Sequence, residues 1–238
     1  MRKFVSGNLN YSSWSIRALL MVRHLKLDVE EEIVPLDFPD TTARLAEISP
    51  TRKVPLLLWD DETVWDSLAI IEWLADRFPD AGVWPQDSKA RGRAKAISAE
   101  MHSGFPDLRR ACPMDIRSRH GRPEMTEALA NDISRVDDIW CEALGASGGP
   151  YLFGEWSAAD AVYAPVVTRF QTYDLPRTNT AQAYMVAVLS HPLMVKLAAE
   201  AAAEPWWIKY DASGRSAGSQ DRNSRLAGRG VVPACPTS

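Results

Sequence analysis

Between a short apolar run, Phe4-Val5, and a helix-like pattern from Ile16 to Leu27 lies Asn10-Tyr11-Ser12-Ser13-Trp14-Ser15-Ile16-Arg17. Three serines and an asparagine crowd the point where strand should become helix. These residue types cap helix starts, because their side-chain oxygens accept from backbone N–H groups that have no intrahelical partner. The same helix end favours negative charge through the macrodipole and the free donors. A hydroxyl at Ser12 or Ser13 can therefore hydrogen-bond an anion as well as cap. Asp66-Ser67 heads a second helix-like stretch, with Leu68, Ile71, Leu74, Ala75 and Phe78 on one stripe. Between the two lies Arg52-Lys53-Val54-Pro55, a turn with two cations and a proline, the one residue type for which a cis bond is cheap.

The elements that must hold these residues follow from periodicity. Lys3–Gly7 reads as a strand, Ile16–Lys26 as a helix and Glu31–Leu36 as a second strand. Strand, helix and strand at that spacing require a parallel pair with a right-handed crossover. Thr41–Ile48 reads as a short helix, Leu56–Trp59 and Thr63–Trp65 as a hairpin, and Ser67–Phe78 as an amphipathic helix. The order βαβαββα is that of a thioredoxin-like α+β domain, expected over 1–80, followed by a breaker-rich linker over 81–88. Beyond it strand signals vanish. Lys89–Arg110 (kinked or ended at Pro106), Pro123–Leu144, Ser157–Tyr173, Thr180–Leu189 and His191–Glu204 read as helices of an all-α domain over 89–210. Ser157-x-x-Asp160 has capping-box spacing. Residues 211–238 are Gly, Ser, Arg and Asn with few large apolar groups, and are expected to form a disordered tail.

The chain has 238 residues, 46% hydrophobic, and a net charge of −4. That is ample for a core, and without a basic block it argues against nucleic acid as a partner. No apolar run approaches the ~18 residues that span a bilayer, so no membrane association is expected. Cys112, Cys141 and Cys235 form no CxxC pair, so neither a redox dithiol nor a metal site is indicated. A reducing cytoplasm is the expected compartment.

A thioredoxin-like half, a linker and a helical half resemble the plan of the cytosolic glutathione transferases. Local motifs agree. Ser12-Ser13-Trp14-Ser15-Ile16-Arg17 is similar to the serine-rich helix start of the zeta class, Ser-Ser-Cys-x-Trp-Arg. Lys53-Val54-Pro55 resembles that family's Val-Pro turn, and Asp66-Ser67-Leu68-Ala69-Ile70-Ile71 its Glu/Gln-Ser-x-Ala-Ile motif. Tyr151-Leu152-Phe153-Gly154 with Ser157-x-x-Asp160 looks like its helical-domain signature.

The resemblance implies glutathione as co-substrate, held as thiolate by a serine hydroxyl. Alignment through Arg17 gives Ser12 that role, counting four residues back gives Ser13, and Tyr11 is a third candidate. It implies a cis Val54–Pro55 bond, glutathione contacts from Lys53, Val54, Pro55, Asp66 and Ser67, and a homodimer. The pocket for a hydrophobic electrophile is expected among Tyr11, Trp14, Met101, His102, Phe105 and Arg109. The expected activity is conjugation of glutathione to that electrophile. The alternatives are a glutathione-dependent cis–trans isomerase of the maleylacetoacetate or maleylpyruvate type, and a non-catalytic glutathione-binding module. Trp14 in place of cysteine counts against the isomerase, as does Arg169, about one turn early for that class's carboxylate-binding arginine.

Overall fold

The computed structural model describes residues 1–210 and 216–221. The first domain has β1 (Arg2–Ser6), α1 (Ser13–His24), β2 (Glu30–Ile33), α2 (Thr41–Ile48), β3 (Leu56–Trp59), β4 (Glu62–Trp65) and α3 (Ser67–Arg77). Its sheet runs β2-β1-β3-β4. β1 pairs parallel with β2 and antiparallel with β3, and β3 pairs antiparallel with β4. Successive residues of β1 face opposite sides. Phe4 joins the large core beneath α1 and α3, whereas Val5 packs with Val34, Leu45 and Leu56 beneath α2.

The helical part comprises α4 (Ser88–Ser103), α5 (Pro106–Ala111), α6 (Glu127–Ser147), α7 (Ala158–Thr172), α8 (Asn179–Ser190) and α9 (Pro192–Ala203). Gly104 and Phe105 separate α4 from α5, and Phe105 takes a left-handed φ of 61° before Pro106 starts the next helix. The break thus falls at the proline that sequence marked. α7 is buried along nearly its whole length and packs on α1 and α4. Trp140 of α6 sits among Tyr163, Phe170 and Tyr184, with ring centroids 6.1, 5.0 and 5.1 Å away.

The chain end corrects two expectations. Trp206–Tyr210, assigned to the helical domain, is a strand, β5. Ser216–Asp221, assigned to a disordered tail, is β6, paired antiparallel with β5. The run Trp206-Trp207-Ile208 carries aromatic and β-branched residues, which suit a strand. Arg117 fastens it: its guanidinium donates to the Glu204 carbonyl (2.9 Å) and lies 3.6 Å from the Trp207 ring. The rest of 211–238 lies outside the described residues. Among the described residues no single helix is long and apolar enough to cross a membrane.

Candidate active site

Three structures meet at the head of α1: the turn ahead of β3, the start of α3 and the end of α4. They border a cleft of about 390 Å³ lined by Trp14, Thr51, Lys53, Val54, Pro55 and Asp66, with Trp65 at its edge. The Val54–Pro55 bond is cis. Asp66 caps α3, its Oδ1 accepting from the Leu68 N–H at 2.8 Å. Its φ of 71° is left-handed, which costs a non-glycine residue of order 1–3 kcal/mol and is typical of functional sites. Ser67, the first residue of α3, is buried, and its hydroxyl has no hydrogen-bond partner.

Ser12 is the N-cap of α1. Its Oγ accepts weakly from the Ser15 N–H (3.4 Å) and donates to Ser15 Oγ (2.8 Å), which in turn accepts from the Gly7 N–H (3.0 Å). The Ser13 Oγ faces α7 and accepts from Arg169 Nη2 at 3.3 Å. Both serines are buried beneath the cleft, and Trp14 is the residue of this turn that lines it.

Three arginines surround this turn. Arg17 is 1% exposed, and none of its three guanidinium nitrogens has a hydrogen-bond partner among the described residues. Burial, then Arg109 and Arg169, pull it down to about 9. Arg169 is held by the Cys112 carbonyl (2.8 Å) and Ser13, leaving Nη1 unpartnered. Burial, with Arg109 adding to it, lowers it to about 10. Arg109 bonds the Met101 and Gly104 carbonyls. Trp14 lies between cations, with Arg17 4.7 Å and Arg109 5.0 Å from its ring, and His102 edge-on at 4.8 Å. His102 Nε2 sits 3.4 Å from Asp66 Oδ2. Burial lowers the His102 pKa, Asp66 raises it, and Arg17 and Arg109 lower it. A buried cation without a counter-ion is costly, and this arrangement of cations at a helix head is suited to an anion.

The expected pocket for a second substrate is divided by the fold. Trp14, His102 and Arg109 cluster beside the cleft. Met101 is 0% exposed and belongs to the core, because the stripe Ala94, Ile97, Met101 of α4 is its buried face. Phe105 is likewise buried. Tyr11 faces the other way, into a cavity of about 660 Å³ shared with Asp115, His120, Tyr173, Trp207 and Tyr210. Its hydroxyl accepts from Arg117 Nη2 at 2.9 Å. Arg169, whose register is about one turn early for the isomerase class's carboxylate-binding arginine, bonds the Ser13 hydroxyl at the serine turn. Sequence reasoning did not single out Arg17, Arg117 or His120 as site residues. An arginine inside the apolar run Val166-Val167-Thr168-Arg169-Phe170 was the available signal for Arg169.

Residues 11–77 match the family model described as the glutathione S-transferase N-terminal domain. A probable maleylacetoacetate isomerase from Caenorhabditis elegans is 36% identical over 96 residues, 40% of this chain and 44% of that protein. Probable maleylacetoacetate isomerase 1 from Drosophila melanogaster is 27% identical over 68% of this chain and 65% of its own. Glutathione S-transferase L1 from Arabidopsis thaliana is 27% identical over 69% of this chain and 66% of its own. The matched segment is therefore less than two thirds of each of these three relatives. Among solved structures, a glutathione transferase homologue from Burkholderia GL BGR1, with bound glutathione, superposes with a TM-score of 0.65 at 21% identity. It covers 84% of this chain and 97% of that one.

Proposed function

Since the chain belongs to the cytosolic glutathione transferase family, we propose that it binds glutathione in the cleft at the head of α1 and conjugates it to an electrophile. Ser12 turns its hydroxyl from Ser15 to the glutathione sulfur. The α3 start and the Ser67 hydroxyl take the γ-glutamyl carboxylate, and Asp66 takes the γ-glutamyl amine. Val54 pairs through its backbone with the cysteinyl unit, and Lys53 faces the glycyl carboxylate. Pro55 forms the floor of that turn.

A free thiol of pKa about 8.5 is only a few per cent thiolate at neutral pH. Lowering it by about two units requires roughly 2.7 kcal/mol. A charge-assisted hydrogen bond from Ser12 contributes about 1.5–3 kcal/mol, and the helix end about 0.3–1. Arg17 and Arg169 add a positive field from behind the serines. No protein base is needed.

One observation carries this reading: an α1 head with two serines, three arginines around it and no carboxylate in its first turn. The same cations favour a second reading, isomerisation of a carboxylate-bearing alkene by reversible thiolate addition. Arg169 at Ser13 supports it, since it brings a buried cation to the serine turn. Assays with glutathione and a chloronitrobenzene, and with glutathione and maleylacetone, test both. Conjugate from the first supports the transferase, and cis–trans conversion of the second supports the isomerase. Turnover of neither, with glutathione bound, supports a binding module. We also propose a cytoplasmic homodimer, for which light scattering should give twice the chain mass.

A further inference from the structure

Glu204 ends α9, the last helix before β5, and is 6% exposed. An acid at that position is disfavoured twice, by burial and by the negative end of the helix dipole. Its two oxygens account for the placement. Oε1 accepts from the Leu9 N–H at 2.6 Å, and Oε2 accepts from the Asn10 N–H at 3.1 Å. Those residues lie in the first domain, on the loop between β1 and α1. Burial raises the Glu204 pKa, and the two backbone donors and Arg117 lower it.

Asn10 is fully buried, and the helical part of the chain bonds each of its four polar atoms. Besides the bond to Glu204, its carbonyl accepts from the Ile116 N–H (3.4 Å) and its Oδ1 from the Arg117 N–H (2.9 Å). Its Nδ2 donates to Asp115 Oδ1 at 2.7 Å. The turn then closes on Asn8, whose carbonyl accepts from the Tyr11 N–H (3.2 Å) and the Ser12 N–H (2.8 Å). Ser12 thus stands two residues beyond a stretch of backbone held from the helical part. The base of that hold is firm. Arg117 donates to the Glu204 carbonyl at 2.9 Å, and one turn earlier Glu200 accepts from Arg23 at 2.7 Å. One helix, α9, therefore ties both the loop before α1 and the last turn of α1.

We propose that Glu204 is a positioning residue for thiolate formation: by holding the Leu9 and Asn10 N–H groups, its carboxylate sets where the Ser12 hydroxyl meets the sulfur of glutathione. This rests on the transferase reading above. Glu204 does not line the glutathione cleft and acts only through the backbone. A hydrogen bond to an anion weakens steeply with distance and angle, and a misplacement of about 1 Å can cost about 100-fold in rate. The start of α3 and the Val54 turn, which take the rest of the tripeptide, are not bonded to Glu204. Loosening the clamp should therefore cost ionisation of the sulfur rather than affinity. A field effect of Glu204 would have the opposite sign, because a nearby carboxylate disfavours a thiolate and its loss would lower the thiol pKa.

The test reads thiolate absorbance against pH for glutathione bound to the wild type, Glu204→Gln, Glu204→Asp and Asp137→Asn. Gln keeps one acceptor but turns an amide group toward the second backbone donor. Asp keeps the charge but is one methylene too short to meet both donors. Asp137, which accepts from the Thr178 N–H at 3.0 Å where α8 begins, is the control for lost stability. Both Glu204 variants should raise the bound-thiol pKa by at least about one unit. At about pH 6.5 their kcat for 1-chloro-2,4-dinitrobenzene should fall about fivefold, because roughly a tenth rather than half of the thiol is ionised. At that pH their Kd for glutathione should stay within about twofold of the wild type. Asp137→Asn should match the wild type in all three readings. A fall or no change of the pKa in Glu204→Gln would overturn the assignment, as would a wild-type value in Glu204→Asp or an equal rise in Asp137→Asn. Should one Glu204 variant fail to fold, the other decides; failure of both would make Glu204 a structural residue and overturn the assignment as well. A wild type that binds glutathione without lowering its thiol pKa would remove the transferase reading, and the positioning role with it.

Discussion

In the first turn of α7 a protein carboxylate occupies the positive end of the helix; the first turn of α1 carries none. Asp160 is fully buried and accepts from four donors: the Leu152 N–H (3.0 Å), the Ser157 N–H (3.0 Å), the Ser157 hydroxyl (3.2 Å) and the Tyr184 hydroxyl (3.2 Å). Serine leads both helices, but α1 has no acid in its first turn, and among the described residues the Arg17 guanidinium and Arg169 Nη1 are left without hydrogen-bond partners. One helix start has been closed to build the helical domain. The other has been kept open at a cost in stability, as binding sites generally are. The lesson is that a cap is recognised by residue type, but its purpose is read from whether its charge is satisfied.

Five measurements test that contrast. The largest effect should come from the closed end. Asp160→Asn leaves donors facing an amide and should cost about 2–3 kcal/mol of unfolding free energy in urea. Burial pushes the Asp160 carboxyl up to about 6, against the pull of its four donors. A carboxyl raised in the folded state contributes stability that is complete below its ordinary value near 3.8 and is lost as pH rises through about 6. The wild type should therefore lose up to about 3 kcal/mol relative to the Asn variant across that window. No difference in slope would mean that Asp160 is not buried as described.

At the open end the sign reverses. Arg17→Met removes a buried cation and should stabilise the free protein by about 1–2 kcal/mol. The same change should weaken inhibition by a small dicarboxylate such as maleate about tenfold. A loss of stability would show that Arg17 already has a counter-charge. Ser67→Ala, at the start of α3, should raise the Kd for glutathione about tenfold, or roughly 1.4 kcal/mol, with little change in melting temperature. Unchanged affinity would remove that hydroxyl from the site.

Much of this contrast is legible in the chain itself. Ser12-Ser13 and Asp66-Ser67 announce helix starts, and the capping-box spacing of Ser157 and Asp160 announces the third. The short apolar run Phe4-Val5 yields β1, and the stripe Leu68, Ile71, Leu74 yields α3. What periodicity does not encode is azimuth and long-range approach. Tyr11 and Trp14 are three residues apart, yet they line different cavities, because the helix begins between them. Arg17 looks like a solvent-facing charge until α7 is packed on α1. Asp115 and His120 lie in an irregular segment with no pattern to read, and only the fold brings them to Asn10. The β5–β6 hairpin was hidden because its second strand is polar and is held through backbone pairing.

The sulfur of glutathione is proposed to ionise against Ser12. That ionisation is tested most directly by the pH dependence of thiolate absorbance near 240 nm, for glutathione bound to the wild type, to Ser12→Ala and to Ser13→Ala. The bound thiol should lie about two pKa units below the free one in the wild type, return by at least about one unit in Ser12→Ala, and return by less in Ser13→Ala. An unshifted thiol in the wild type, or an identical pKa in Ser12→Ala, would contradict ionisation against Ser12.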